Sequence, residues 1–228
     1  MALSNLFDEL CGILDGKTSI ERHAQAELQR ARAEAPLKQD LVTLAPPFLE
    51  VMAQDDALPI CDLIAKLPFQ WAPPKTSSDP LYEEHSHFKA HVELLGPAGL
   101  VASSKVRIGL YGMLPHCEYG LRTHPAEEAY IMLAGSAFWK VADAPYQRLF
   151  PGQRSHHPSM VPHATRTGED AFMSIYVWDG DIATDQYRYF GLPDDEGSVG
   201  RVPGSPQQPG GMPCARRLLP DINSLWIS

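Results

Sequence analysis

Beyond Pro80 the apolar and β-branched residues fall into short runs, 87–95, 104–113, 128–133, 136–142, 146–150 and 171–178, each bounded by Gly, Pro or polar residues. That spacing predicts an all-β barrel or sandwich rather than a helical domain. One run carries more information than the others. Alternation along a strand puts Glu128, Tyr130 and Met132 on one face and Ala129, Ile131 and Leu133 on the other. If the first face looks into a barrel, a carboxylate is buried beside a phenol, which is costly unless something compensates its charge. A divalent cation with His124 as a second ligand would do so. The alternative is an edge strand with Glu128 in solvent.

The chain before these runs has a different character. Leu3, Leu6, Phe7, Leu10, Ile13 and Leu14 recur at helical steps and predict a helix over 3–14. Thr18 followed by Glu21 reads as a capping box that opens a second helix running to Ala35. Pro46-Pro47 interrupts the next apolar stretch, and 60–67 is again helical. The expected organisation is a helical extension over 1–80, which covers a barrel end or forms a homodimer contact, a β-barrel catalytic domain over 81–190, and an extended tail rich in Pro and Gly over 191–228.

The 19 basic and 28 acidic residues leave a formal charge of −9 with no basic run, which argues against a nucleic-acid partner. Cys11, Cys61, Cys117 and Cys214 form no C-x-x-C pair, so reduced thiols are expected and a structural zinc site built on sulfur is not. The N-terminus has neither the basic n-region nor the apolar stretch of a secretory signal, and no segment is apolar over a membrane's thickness. A cytoplasmic location without membrane contact is expected.

A second segment, Gly152 through His156, His157, Pro158, Pro162, His163 and Arg166, lies about one hairpin beyond the first. Together the two resemble the paired motifs of the cupin superfamily: His, three residues, Glu, six residues, Gly in the first, matched by His124, Glu128 and Gly135, and Gly, five residues, Pro, then His in the second, matched by Gly152, Pro158 and His163. The resemblance spans residues 112–168 and implies a mainly β fold, the double-stranded β-helix or jelly-roll barrel of cupins, here with an N-terminal helical extension. Three positions depart from it. Arg122 stands where a His usually precedes His124 by two, Met160 where motif two has Gly, and Thr167 where it closes on Asn. One usual metal ligand is therefore missing, and Tyr130 or water is left to replace it. Two imidazoles and a carboxylate suit one divalent transition metal ion, Fe(II), Zn(II), Mn(II) or a similar ion, without choosing among them.

Within the cupins, Tyr119, the run His124-Pro-Ala-Glu-Glu128, Tyr130, Trp139 and the Pro-His163-Ala ending are similar to the bacterial cupin-type dimethylsulfoniopropionate lyases. The resemblance implies that His124, Glu128, His163 and Tyr130 bind metal, that Tyr119 or Tyr130 is the base, and that the small zwitterionic substrate is split into dimethyl sulfide, acrylate and a proton. The chemistry is consistent with these residue types. Metal coordination of the carboxylate acidifies the α-proton, and a nearby dication makes a phenol, ordinarily of pKa about 10, a usable base. The sulfonium has no hydrogen-bond donor, so aromatic rings are its natural receptors, and Tyr119, Trp178 and Trp139 are the candidate substrate-binding residues beside Tyr130. Both Trp residues also fit ordinary barrel core.

His85, His87 and His91 share strand parity but lack suitably placed carboxylates, so a solvated edge strand is expected there in place of a second metal site. His116, His156 and His157 flank the motifs and suit turns or support of the ligands. Cys117 reads as a small buried hydrophobe. Two other functions use the same face: an Fe(II)-dependent cupin dioxygenase, which shares the two-His, one-carboxylate set, and a cupin that binds a small ligand without catalysis.

Overall fold

The computed structural model describes residues 3–31 and 42–192, so most of the tail expected over 191–228 lies outside the described residues. Five helices come first: α1 (Leu3–Ile13), α2 (Ser19–Ala31), α3 (Pro46–Met52), α4 (Ile60–Ile64) and α5 (Pro80–Glu84). The apolar stripe of α1 is buried through Leu3, Leu6, Phe7 and Leu10. At the start of α2, Thr18 Oγ1 accepts the Glu21 N–H at 3.3 Å, which is half of the expected capping box. The other half is absent because the Glu21 carboxylate turns to Arg154, whose Nε lies 2.7 Å away. Pro46-Pro47 opens α3 instead of interrupting a helix. The first turn of a helix leaves its N–H groups without intrahelical partners, so proline loses nothing there. The Pro-rich stretch before the barrel likewise ends in α5, capped by Asp79, which accepts from the N–H groups of Leu81 and Tyr82.

Nine strands follow: β1 (Lys89–Gly96), β2 (Val101–Ala102), β3 (Val106–Met113), β4 (Glu118–Thr123), β5 (Ala126–Val141), β6 (Gln147–Leu149), β7 (Arg154–His157), β8 (His163–Gly180) and β9 (Arg188–Gly191). They run in the order β2-β1-β3-β8-β4-β9, with β5 pairing β6, β7 and β8. The fold is mainly β, a cupin barrel preceded by helices. The runs 128–133 and 136–142 are one strand, β5, whose register slips between Met132 and Ala134 and again between Gly135 and Ala137. The run 171–178 is the second half of β8. That strand pairs β5 along its length, β3 through its second half and β4 through its first. His85 and His87 precede β1, so the three histidines expected on one edge strand do not share a strand.

The helices are fastened to the barrel by core and by named bonds. Their buried apolar residues belong to the same cluster as those of the strands, with Phe48 of α3 wholly buried. The Leu58 N–H donates to the Leu133 carbonyl at 2.8 Å, His23 Nδ1 lies 2.8 Å from Asp179 Oδ1, and Arg154 Nη2 donates to the Ile13 carbonyl at 2.9 Å. None of the described helices is long and apolar enough to cross a membrane.

Three motif positions have a left-handed backbone, among them Gly152 at φ +81°. Gly135 has φ +65°, and a Cβ there would fall 2.1 Å from the Ala171 carbonyl oxygen. Met160 keeps the conformation of the motif glycine that it replaces, with φ +61° and its N–H donated to the His124 carbonyl at 2.9 Å. The substitutions Gly135→Ala and Met160→Gly are therefore expected to act with opposite sign. The first should cost about 2 kcal/mol or more and the second should stabilise by about 0.5–1 kcal/mol, read as shifts of the urea midpoint.

Candidate functional site

His124 follows the end of β4, Glu128 lies near the start of β5 and His163 opens β8 beside β4, where it pairs with Arg122. The three side chains converge inside the barrel, none more than 2% exposed. Their tautomers follow from their neighbours. His124 Nδ1 lies 3.1 Å from the Ala126 carbonyl and His163 Nδ1 2.9 Å from the Val161 carbonyl. A carbonyl only accepts, so each Nδ1 carries the proton and each Nε2 is left with a bare lone pair. Both Nε2 atoms are buried without a hydrogen-bond partner and face Glu128 Oε2 at 3.3 and 3.2 Å.

Three electron-pair donors lying within 4.8 Å of one another repel unless a cation sits between them. Two imidazole nitrogens and one carboxylate oxygen suit a divalent transition ion, so the residues present fit a metal site. Burial, helped by the Arg122 charge, holds His163 well below the usual imidazole range, which keeps its lone pair available near neutral pH.

The carboxylate is held from behind. Trp178 Nε1 donates to Glu128 Oε1 at 2.5 Å, and its ring stacks on His124 at 4.2 Å between centroids. His157, paired across β7 and β5 with Glu128, places Nδ1 3.0 Å from Oε2 and Nε2 2.7 Å from Ser155 Oγ, and stacks on His163. Such contacts fix the orientation of ligands as much as the ligands' own strands do.

A cavity of about 500 Å³ adjoins the cluster, its walls including Arg122, Glu128, Tyr130, Tyr119, Trp178 and Tyr187. Tyr119 and Arg122 both reach it because the β4 pairing shifts register between them, and such a bulge re-aims the side chains that follow it. The Tyr119 hydroxyl bonds that of Tyr187. Its ring has Lys89 Nζ at 3.0 Å and the Arg122 guanidinium at 4.1 Å. Burial raises the Tyr119 phenol well above its ordinary value, with the Tyr187 and Tyr82 phenols adding to the rise and Arg122 opposing it. Burial also raises Tyr130, and there the Glu128 charge adds to the rise.

Six of the seven candidate residues thus surround one space: His124, Glu128 and His163 at the cluster, and Tyr119, Tyr130 and Trp178 on the cavity walls. Trp139 packs behind Tyr130, at 4.3 Å between centroids, and is not among the cavity walls. His91 Nε2 lies 2.8 Å from the Tyr176 hydroxyl, also beside the cavity. His85 Nδ1 lies 2.5 Å from the Tyr189 hydroxyl, whereas His87 is exposed. Burial pushes the thiols of Cys61 and Cys117 up to about 12, which makes them poor nucleophiles. Sequence reasoning missed Tyr187, whose ring is parallel to His124 within 10°, while His157, read there as suiting a turn or support of the ligands, bonds Glu128. The segment holding Tyr187 has no motif or periodicity. The pairing of β7 with β5, in contrast, could have been drawn from the hairpin between the two motifs.

The barrel and its buried His-Glu-His cluster define a cupin with a candidate metal centre. The dimethylsulfoniopropionate lyase family model matches residues 18–174. The chain belongs to that family. A lyase of Ruegeria pomeroyi, DddQ, is 41% identical over 91 residues, a match spanning 40% of this chain and 45% of the relative. Among solved structures, one reported with the lyases RdDddP and RnDddQII aligns with a TM-score of 0.53 at 24% identity, over 81% of this chain and 99% of the other. The R. pomeroyi DddQ crystal structure aligns with a TM-score of 0.49 at 28% identity, over 78% and 93% of the two chains.

Removing any of the three donors should empty the site. His124→Ala, Glu128→Ala and His163→Ala are each expected to lose most bound metal by elemental analysis while circular dichroism shows the barrel intact. Trp178→Phe, which keeps the ring but not the bond to Glu128, should weaken metal affinity by about tenfold.

Proposed function

We propose that the protein is a metal-dependent carbon–sulfur lyase that cleaves dimethylsulfoniopropionate by β-elimination. The observation that carries this reading is the pair of bare Nε2 atoms facing Glu128, set in a cavity walled by aromatic rings, in a chain of the dimethylsulfoniopropionate lyase family. A bound divalent ion would supply Lewis acidity at the substrate carboxylate and so acidify the neighbouring C–H. His124, Glu128 and His163 hold that ion, with Tyr130 as a fourth ligand. The rings of Tyr130 and Trp178 receive the sulfonium, and Trp139 backs Tyr130, whereas the Tyr119 ring already carries Arg122 and Lys89. A tyrosine oxygen takes the α-proton, the C–H pair becomes the new double bond, and the C–S bond breaks to release dimethyl sulfide and acrylate.

Tyr119 is the base in this reading and Tyr130 the ligand. Arg122 lies over the Tyr119 ring, and its charge opposes the rise that burial imposes on the phenol. Tyr130, two residues from Glu128 on one strand face, is better placed to reach the ion, and the Glu128 charge disfavours its ionisation otherwise. A homodimer in the cytoplasm, with the helices covering the barrel, completes the proposal.

Dimethyl sulfide should appear in the headspace above purified protein and substrate without oxygen. A requirement for oxygen would point instead to a dioxygenase. Tyr119→Phe should keep metal and substrate affinity while turnover falls at least about 100-fold, and should abolish exchange of the substrate α-protons with deuterated solvent. Tyr130→Phe should lose metal affinity as well. Full turnover in Tyr119→Phe would reverse the two roles.

A further inference from the structure

Arg122 is the one place where this chain exchanges an expected metal ligand for a permanent cation, and it has no direct ion-pair partner among the described residues. The side chain is 2% exposed and lines the cavity beside Glu128 and Tyr130. Its guanidinium donates to the carbonyls of Tyr119 and Gly120, both at 3.5 Å, and to Thr165 Oγ1 at 3.2 Å. All three acceptors are neutral and two of the bonds are long. Among the described residues no carboxylate lies within ion-pair distance of it, whereas the other arginine on the cavity wall, Arg107, has Glu93 at 2.9 Å. A buried charge without a counter-ion is costly and finds an anion when one can enter. The fork of donors matches a carboxylate.

The geometry points to Arg122 as the receptor for the carboxylate of a small aliphatic acid, a specificity-determining residue for the lyase reaction. The inference rests on the proposed function for its substrate, but its chemistry does not need turnover. Arg122 also lies over the face of Tyr119, 4.1 Å from the ring centre. An acid held by the guanidinium therefore brings its α-carbon towards that tyrosine, and the same contact that selects a free carboxylate places the proton to be removed. Esters and amides of the same acid offer no charge to Arg122 and are rejected.

Titration of the purified, metal-loaded protein with propionate, followed by calorimetry and by tryptophan fluorescence, tests this directly, with propionamide as the neutral control. Wild type should bind propionate and discriminate against propionamide. Arg122→Met should weaken propionate about 30-fold or more at unchanged metal content, with propionamide unaffected. Arg122→Lys should lose less and keep the preference for the acid, which covers the case in which the Met variant does not fold. Arg122→His, which restores the usual cupin residue, should raise metal retention against a chelator while weakening propionate. Wild-type propionate affinity in Arg122→Lys and Arg122→His, or loss of metal in step with propionate in every variant, would overturn the inference. Absence of dimethyl sulfide with the propionate pattern intact would remove the lyase reading and leave the carboxylate receptor standing.

Discussion

The structure is organised around a repulsion. Glu128 Oε2 faces two imidazole nitrogens at 3.2 and 3.3 Å, and all three atoms present lone pairs. What keeps them together is the work of groups behind them: carbonyls of Ala126 and Val161 fix the imidazoles, and Trp178 with His157 fixes the carboxylate. Ala126, His157 and Trp178 come from β5, β7 and β8, and Val161 from the loop that leads into β8, so these strands must be in register for the cluster to exist. A donor set held in place in this way would lose little entropy on binding a cation.

The departures from the cupin pattern show which parts of that pattern are conformational and which are chemical. Met160 replaces a glycine yet retains its left-handed backbone, so this position concerns the path of the chain. Thr167 replaces the closing Asn and still ties β8 to the segment before β4, since its Oγ1 accepts from the Cys117 N–H at 2.9 Å and donates to the Leu114 carbonyl at 2.7 Å. Arg122 is different in kind. No backbone role is inherited there, and a neutral donor of lone pairs has become a charged donor of protons.

The sequence exposed the chemistry more fully than the architecture. His124, Glu128 and His163 were readable from motif spacing and Tyr130 from strand parity, whereas Tyr119 entered through the family resemblance and Trp178 as an aromatic candidate for the sulfonium. Strands were found where their inward faces are apolar, as in β1, β3 and much of β5. They were missed in β4, β7 and β9, where the side chains of Arg122, His157 and Tyr189 face a polar interior and leave no hydrophobic alternation to detect. The helix that begins at Pro46-Pro47 was hidden by the same residues that start it. Tyr187 had no signal at all, since its place beside His124 depends on a return of the chain that only the tertiary structure specifies.

The cavity has two kinds of wall. Part of the wall is built from ladder-paired strands, whereas the rest draws on Ala72–Thr76 and on Thr184 and Tyr187, residues that lie outside any helix or strand. Among the bonds that tie the two parts are the Ala72–His91 backbone pair and the Tyr119–Tyr187 hydroxyl pair. Evolution can therefore redraw the shape and polarity of the entrance by insertion or substitution in irregular segments, at little cost to strand register, and so retune which small molecules enter while the His-Glu-His cluster stays as it was.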